Sequence, residues 1–172
     1  MIEARSTALH EIHLAIDQRV AHIRAENPDW LCAKGCANCC RRLAEVPPLT
    51  EAEWLLLREG LAALPVAQLA RIAQRMSAMA QQTTRPLTCP MLDEATNACP
   101  VYAQRPVACR SYGFYVQREL GLYCGDIQAQ EAEGRLAGVV WGNHDVIDRA
   151  LAGMGSVRPL TEWFAAWQKE QT

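Results

Sequence analysis

Eight cysteines stand in this chain of 172 residues, and they are the residues whose type and spacing could do chemistry. Four lie in the run CAKGCANCC as C-x3-C-x2-C-C: Cys32, Cys36, Cys39 and Cys40. The other four are Cys89, Cys99, Cys109 and Cys124. Eight thiols divide into two sets of four, the number taken by a tetrahedral zinc ion or by an iron–sulfur cluster. Cys36-x2-Cys39 has the spacing of a metal knuckle, in which a tight turn lets two thiolates reach one ion. The adjacent Cys39 and Cys40 leave the backbone in different directions, about 100° apart on a helix. That divergence points away from one mononuclear ion taking both, and towards two sites or two irons of one cluster.

Thiolate-ligated zinc and iron–sulfur clusters are anionic, so either wants cations beside it. Lys34, Arg41 and Arg42 accompany the first cysteine run, and Arg105 and Arg110 the second, with no acid in either stretch. Such charges also favour the thiolate form. Cys89-Pro90 and Cys99-Pro100 are Cys-Pro dipeptides of the kind that follows a ferredoxin ligand, which tips the expectation towards iron–sulfur over zinc. All eight cysteines are therefore candidate ligands.

Composition sets the frame. The chain is 50% hydrophobic and 21% charged, with 10 Gly and 9 Pro, values of an ordinary globular protein long enough to bury a core without disulfide staples. A net charge of −2 argues against a broad nucleic-acid or anionic-lipid surface. The N-terminus carries Glu3, Glu11 and Asp17 in place of an apolar signal core, and no segment approaches the ~18 apolar residues of a membrane span. A cytoplasmic location with reduced thiols is expected, and with it metal ligation rather than disulfides.

The elements that must position the thiols read as mostly α-helical, a single domain over 1–172. Residues 7–26 form an amphipathic helix with Leu9, Ile12, Ile16, Val20 and Ile23 on one side. Thr50-x-x-Glu53 is a capping box, with Leu49 and Trp54 placed as a hydrophobic staple, so a helix starts at Thr50 and stops near Gly60. A second runs from Pro65 to Gln82 with Val66, Leu69, Ile72, Met76 and Met79 on one face. Together they make a helical hairpin over 50–82 that returns the chain towards the first cysteine run. Residues 83–125 read as loop and turn, and C-terminal helices occupy 139–152 and 160–169. The fold class is a small helical scaffold bearing a cysteine-rich, loop-dominated metal-binding region at about 30–125, where the two cysteine groups meet.

CAKGCANCC, then CPML at 89–92, CPVYAQRPVACR at 99–110 and Cys124, resemble the YkgJ-like family of cysteine-cluster proteins, the CxxCxxCC zinc- or iron-chelating domain. The resemblance covers roughly residues 30–125 and implies metal chelation by these cysteines. It departs in its first spacing, where C-x3-C stands for C-x2-C, so it says least about Cys32. Flagellin lysine methylases carry a similar cluster, which extends the resemblance to a metal-dependent modifying enzyme.

Three functions follow: an iron–sulfur protein with a redox or cluster-dependent role; a structural zinc module that presents a surface to a protein partner; and a cluster-dependent, methyltransferase-like enzyme with no catalytic residue assigned. Radical S-adenosylmethionine chemistry shares the C-x3-C-x2-C spacing, but Asn38 precedes Cys39 where an aromatic residue is usual, and strands are scarce. Thiol–disulfide chemistry would want Cys36-x2-Cys39 in a βαβ setting. His10 and His13 read as exposed polar residues. His144 is a weak candidate base beside Asp145, since adjacent helical residues do not face each other. Glu51 and Glu53 are cap residues, and Trp141, Trp163 and Trp167 read as core or docking face.

Overall fold

The computed structural model describes residues 2–118 and 120–171. Its helices are α1 (Ile2–Glu26), α2 (Asn38–Arg41), α3 (Glu51–Ala62), α4 (Val66–Gln81), α5 (Val107–Ser111), α6 (Gly125–Ala132), α7 (His144–Leu151) and α8 (Leu160–Glu170), with a 3-10 turn at Tyr102–Gln104. Short strands are β1 (Pro48–Thr50), β2 (Tyr115–Gln117), β3 (Leu120–Gly121), β4 (Gly142–Asn143) and β5 (Val157–Pro159). The protein is a mostly α scaffold, as its periodicity implies. No described helix is long and apolar enough to cross a membrane.

Two compact units share the chain: residues up to Cys36 with Val107–Met154, and Ala37–Pro106 with the stretch from Gly155 onward. In the second, the capping box forms as expected. The Thr50 hydroxyl accepts from Glu53 N at 3.3 Å, Glu53 Oε2 accepts from Thr50 N at 2.9 Å and from the Thr50 hydroxyl at 2.8 Å, and the assembly is buried. α3 and α4 then pack with α8 around Leu49, Trp54, Leu57, Leu61, Ile72, Met76 and Phe164. Trp54 stacks on Trp163 at 6.1 Å, and the Trp163 indole N–H donates to the Leu49 carbonyl at 3.0 Å. β1 pairs antiparallel with β5, bringing α8 back onto α3. Val66, expected on the buried face of α4, is 86% exposed, because it is the first helical residue and lies beyond the edge of this core.

In the first unit α1 buries Leu9, Ile16 and Ile23. His13 is buried with them, correcting the expectation of exposure; His10 is exposed. The expected helix over 139–152 begins only at His144. Gly142 and Asn143 extend as β4, parallel to β2, and Asn143 Oδ1 caps α7 by accepting from Asp145 N at 2.9 Å. A Cβ at Gly142 would lie 2.3 Å from the Tyr115 ring, so only glycine admits that pairing. Residues 83–125, expected as loop and turn, hold the 3-10 turn, α5 and the β2–β3 hairpin, all too short to show a period in sequence.

Candidate metal centre

The second unit contains Cys39, Cys40, Cys89 and Cys99, and backbone pairing gathers them from three segments. Cys39 and Cys40 sit side by side on α2, whose last residue donates to the Ala37 carbonyl at 3.0 Å. Leu43 and Leu87 exchange two N–H···O bonds of 2.9 Å, and Cys89 N donates to the Cys40 carbonyl at 2.7 Å. The helical hairpin thus does return the chain to the first cysteine run. Cys89-Pro90 opens a turn closed by Leu92 N on the Cys89 carbonyl at 3.1 Å. A tight loop follows, closed by Asp93 N on the Ala98 carbonyl at 3.0 Å and turned by Asn97 at φ +51, and it delivers Cys99. Arg41 secures this loop to α2 by donating to Asn97 Oδ1 at 2.8 Å.

The sulfurs of Cys39 and Cys40 are 4.0 Å apart. This differs from the divergence expected of neighbouring residues: rotation about Cα–Cβ brings the two sulfurs together although their Cβ atoms point apart. A tetrahedral ion with metal–sulfur bonds of about 2.3 Å spaces its sulfurs about 3.8 Å apart. The pair therefore stands close to one edge of such a tetrahedron. Cys89 is near enough to act on the Cys40 thiol, and Cys89 and Cys99 pack against the apolar core of the unit.

These thiols are poor acids as they stand. The hydrogen bond to Cys40, burial and the neighbouring sulfur's charge push Cys39 far above the ordinary thiol range. Cys39 favours ionisation of Cys40, but the hydrogen bond to Cys89, burial and the Cys89 charge outweigh it and push Cys40 up to about 11. Burial first, and then the Cys40 charge, push Cys99 up to about 11, against the pull of the Val101 N–H and Arg105. Arg105 is the cation acting on both Cys40 and Cys99. Its Nε donates to the Tyr102 carbonyl at 2.9 Å, and its guanidinium lies 3.3 Å from the Tyr102 ring centroid. A divalent cation among these sulfurs would reverse the balance, since a coordinating thiol is deprotonated outright.

Cys32, Cys36, Cys109 and Cys124 belong to the first unit, so the early run divides between Cys36 and Ala37. The Cys32 thiol donates to the Tyr112 carbonyl at 3.7 Å, and its own carbonyl accepts from Arg24 at 2.6 Å. Gly113, at φ +85, passes so close that a Cβ there would lie 3.3 Å from the Cys32 sulfur. Gly113 N donates to the Leu122 carbonyl at 2.7 Å, drawing in the segment that ends at Cys124, the residue preceding α6. Cys109 lies on α5, which packs on α1. There Arg110 is buried against Asp17 at 2.8 Å, a carboxylate that the local sequence gave no sign of. Of the five flanking cations, Arg105 acts on Cys40 and Cys99. His144 Nδ1 meets Asp148 at 3.1 Å, one helical turn on, rather than Asp145.

Among the described residues no three Cys, His, Asp or Glu side chains are gathered tightly enough to hold an ion as they stand. The donor set nonetheless fits one. Four soft thiols come from segments already bonded together, one sulfur pair lies near tetrahedral spacing, and a cation faces the site.

No curated protein and no solved structure matches the chain. A family profile, described as "CxxCxxCC: Putative zinc- or iron-chelating domain", matches residues 31–132, a stretch that takes in all eight cysteines. The chain belongs to the CxxCxxCC family of metal-chelating domains.

Proposed function

We propose that Cys39, Cys40, Cys89 and Cys99 bind a single tetrahedral metal ion, zinc in the first instance, and that the site is a structural module through which the protein meets a protein partner. The 4.0 Å between the Cys39 and Cys40 sulfurs carries this reading. Two thiolates on different irons of a cluster are held apart by the cluster, whereas two on one ion share a tetrahedral edge of about 3.8 Å. Closing the set requires Cys89 and Cys99 to turn towards the pair; Cys89 N is bonded to the Cys40 carbonyl, and both residues pack against the apolar core of the unit. Bound there, the ion supplies positive charge and a cross-link between three chain segments. The protein supplies four thiolates, a half-buried setting and the Arg105 charge, which offsets part of a formally dianionic tetrathiolate. A closed four-thiolate site leaves no position for substrate, so the module reading is preferred to an enzyme.

An iron–sulfur cluster is the second reading, supported by the Cys-Pro dipeptides at 89 and 99 and by Cys32, Cys36, Cys109 and Cys124, a further four thiols in the first unit. Anaerobic purification followed by zinc, iron and acid-labile sulfide analysis separates them. Colourless protein with stoichiometric zinc supports the first reading; brown protein with iron and sulfide replaces it with the second. Cys39→Ser and Cys99→Ser should each lose the metal, and retention in both removes these residues from the ligand set.

A further inference from the structure

We propose that Cys39 and Cys40, with Cys89 beside them, form a capture site for trivalent arsenic, as arsenite or an organic arsenoxide. The inference uses thiols of the proposed metal site but requires no bound ion. Trivalent arsenic is a soft thiophile that takes two or three sulfurs on one side and keeps a lone pair on the other, so it needs a row of thiols rather than a closed tetrahedron. The pair that begins such a row is present: the Cys39 and Cys40 sulfurs are 4.0 Å apart, and Cys89 is near enough to act on the Cys40 thiol. The first two sulfurs sit on consecutive residues of α2, so they close a chelate ring with little further loss of chain freedom. The Cys89 N–H bond to the Cys40 carbonyl at 2.7 Å holds the third donor at the same place. All three are half-buried, so none is sealed from solvent.

With phenylarsine oxide, two As–S bonds form and two S–H bonds break. Both bonds of arsenic to its oxo oxygen are lost, and that oxygen leaves as water carrying both thiol protons. Arsenic stays trivalent and no electron is transferred. Arsenite would react likewise at three thiols, releasing three waters.

The test treats the full-length protein with phenylarsine oxide, measures intact mass, then alkylates free thiols and maps the tryptic peptide Gly35–Arg41, which contains Cys36, Cys39 and Cys40. The expected result is one phenylarsenic group per chain, with Cys39 and Cys40 protected and Cys36 alkylated. The adduct should resist a simple monothiol, yield to the dithiol 2,3-dimercaptopropanol, persist in Cys124→Ser and vanish when Cys39 and Cys40 are both replaced by serine. Absence of an adduct, alkylation of Cys39 and Cys40 in the treated wild-type protein, or release by the monothiol would overturn the proposal, and none of these depends on a variant folding. Metal and sulfide analysis of untreated protein is read separately, so the metal reading can fail while this one stands, and the reverse.

Discussion

Raising the pH should strengthen zinc binding steeply and go on doing so beyond the point where ordinary thiols stop. Each of the four proposed ligands gives up a proton when it binds. Where all four are protonated, affinity rises by about four powers of ten per pH unit. Four ordinary thiols would be half ionised at their usual value of 9.0, and there binding would release about two protons per ion. Cys40 and Cys99, pushed up to about 11, and Cys39, pushed further in the same direction, remain protonated at pH 9. Binding at that pH should therefore release at least about three protons. Calorimetric titration with zinc in two buffers of different ionisation enthalpy counts them directly. A count of two or fewer near pH 9 would show that the three thiols do not share the buried environment described, or that fewer than four cysteines bind.

The same thiols make metal-free protein sensitive to alkali. A native state that holds its protons above the unfolded value of 9.0 is stabilised below it and loses that advantage as pH rises towards about 11, so the urea midpoint of metal-free protein should fall across that window; a midpoint that rises instead would contradict the assignment. Gly113→Ala should destabilise by about 1–2 kcal/mol through its positive φ alone, and further through the contact with Cys32, whereas Gly35→Ala, at φ +95 with open space around it, bears only the backbone cost. Equal midpoints in chemical denaturation for those two variants would remove the Cys32 contact from the account. Thr50→Ala should cost about 1–2 kcal/mol, near the upper end for a helix cap because the box is buried, and lower the melting temperature by roughly 2–4 °C per kcal/mol. No change on calorimetric melting would mean the box does not anchor α3.

Much of the scaffold was legible because its signals are local. Thr50-x-x-Glu53 marks the start of α3 through its own hydrogen bonds, and Ile72, Met76 and Met79 report the buried face of α4 at helical spacing. The burial of His13 is legible from position rather than polarity: Leu9, His13, Ile16 and Ile23 follow one helical stripe, and all four are buried. What escaped depends on distant partners. The late start of α7 is set by Gly142 packing beneath Tyr115, the burial of Arg110 by Asp17 on α1, and Cys36 and Cys39 fall in different units although only two residues separate them. The eight candidate thiols were plain from composition, but their grouping was not. The spacing joins Cys36 to Cys39 as a knuckle, whereas the backbone bonds join Cys40 to Cys89.

The central claim is that one ion sits on four sulfurs, two of them from adjacent residues. X-ray absorption at the metal edge of the purified protein tests it most directly. The account predicts a zinc edge and a single shell of four sulfurs at about 2.3 Å with no metal neighbour. An iron edge with a metal–metal distance, or a shell completed by nitrogen or oxygen, would contradict it.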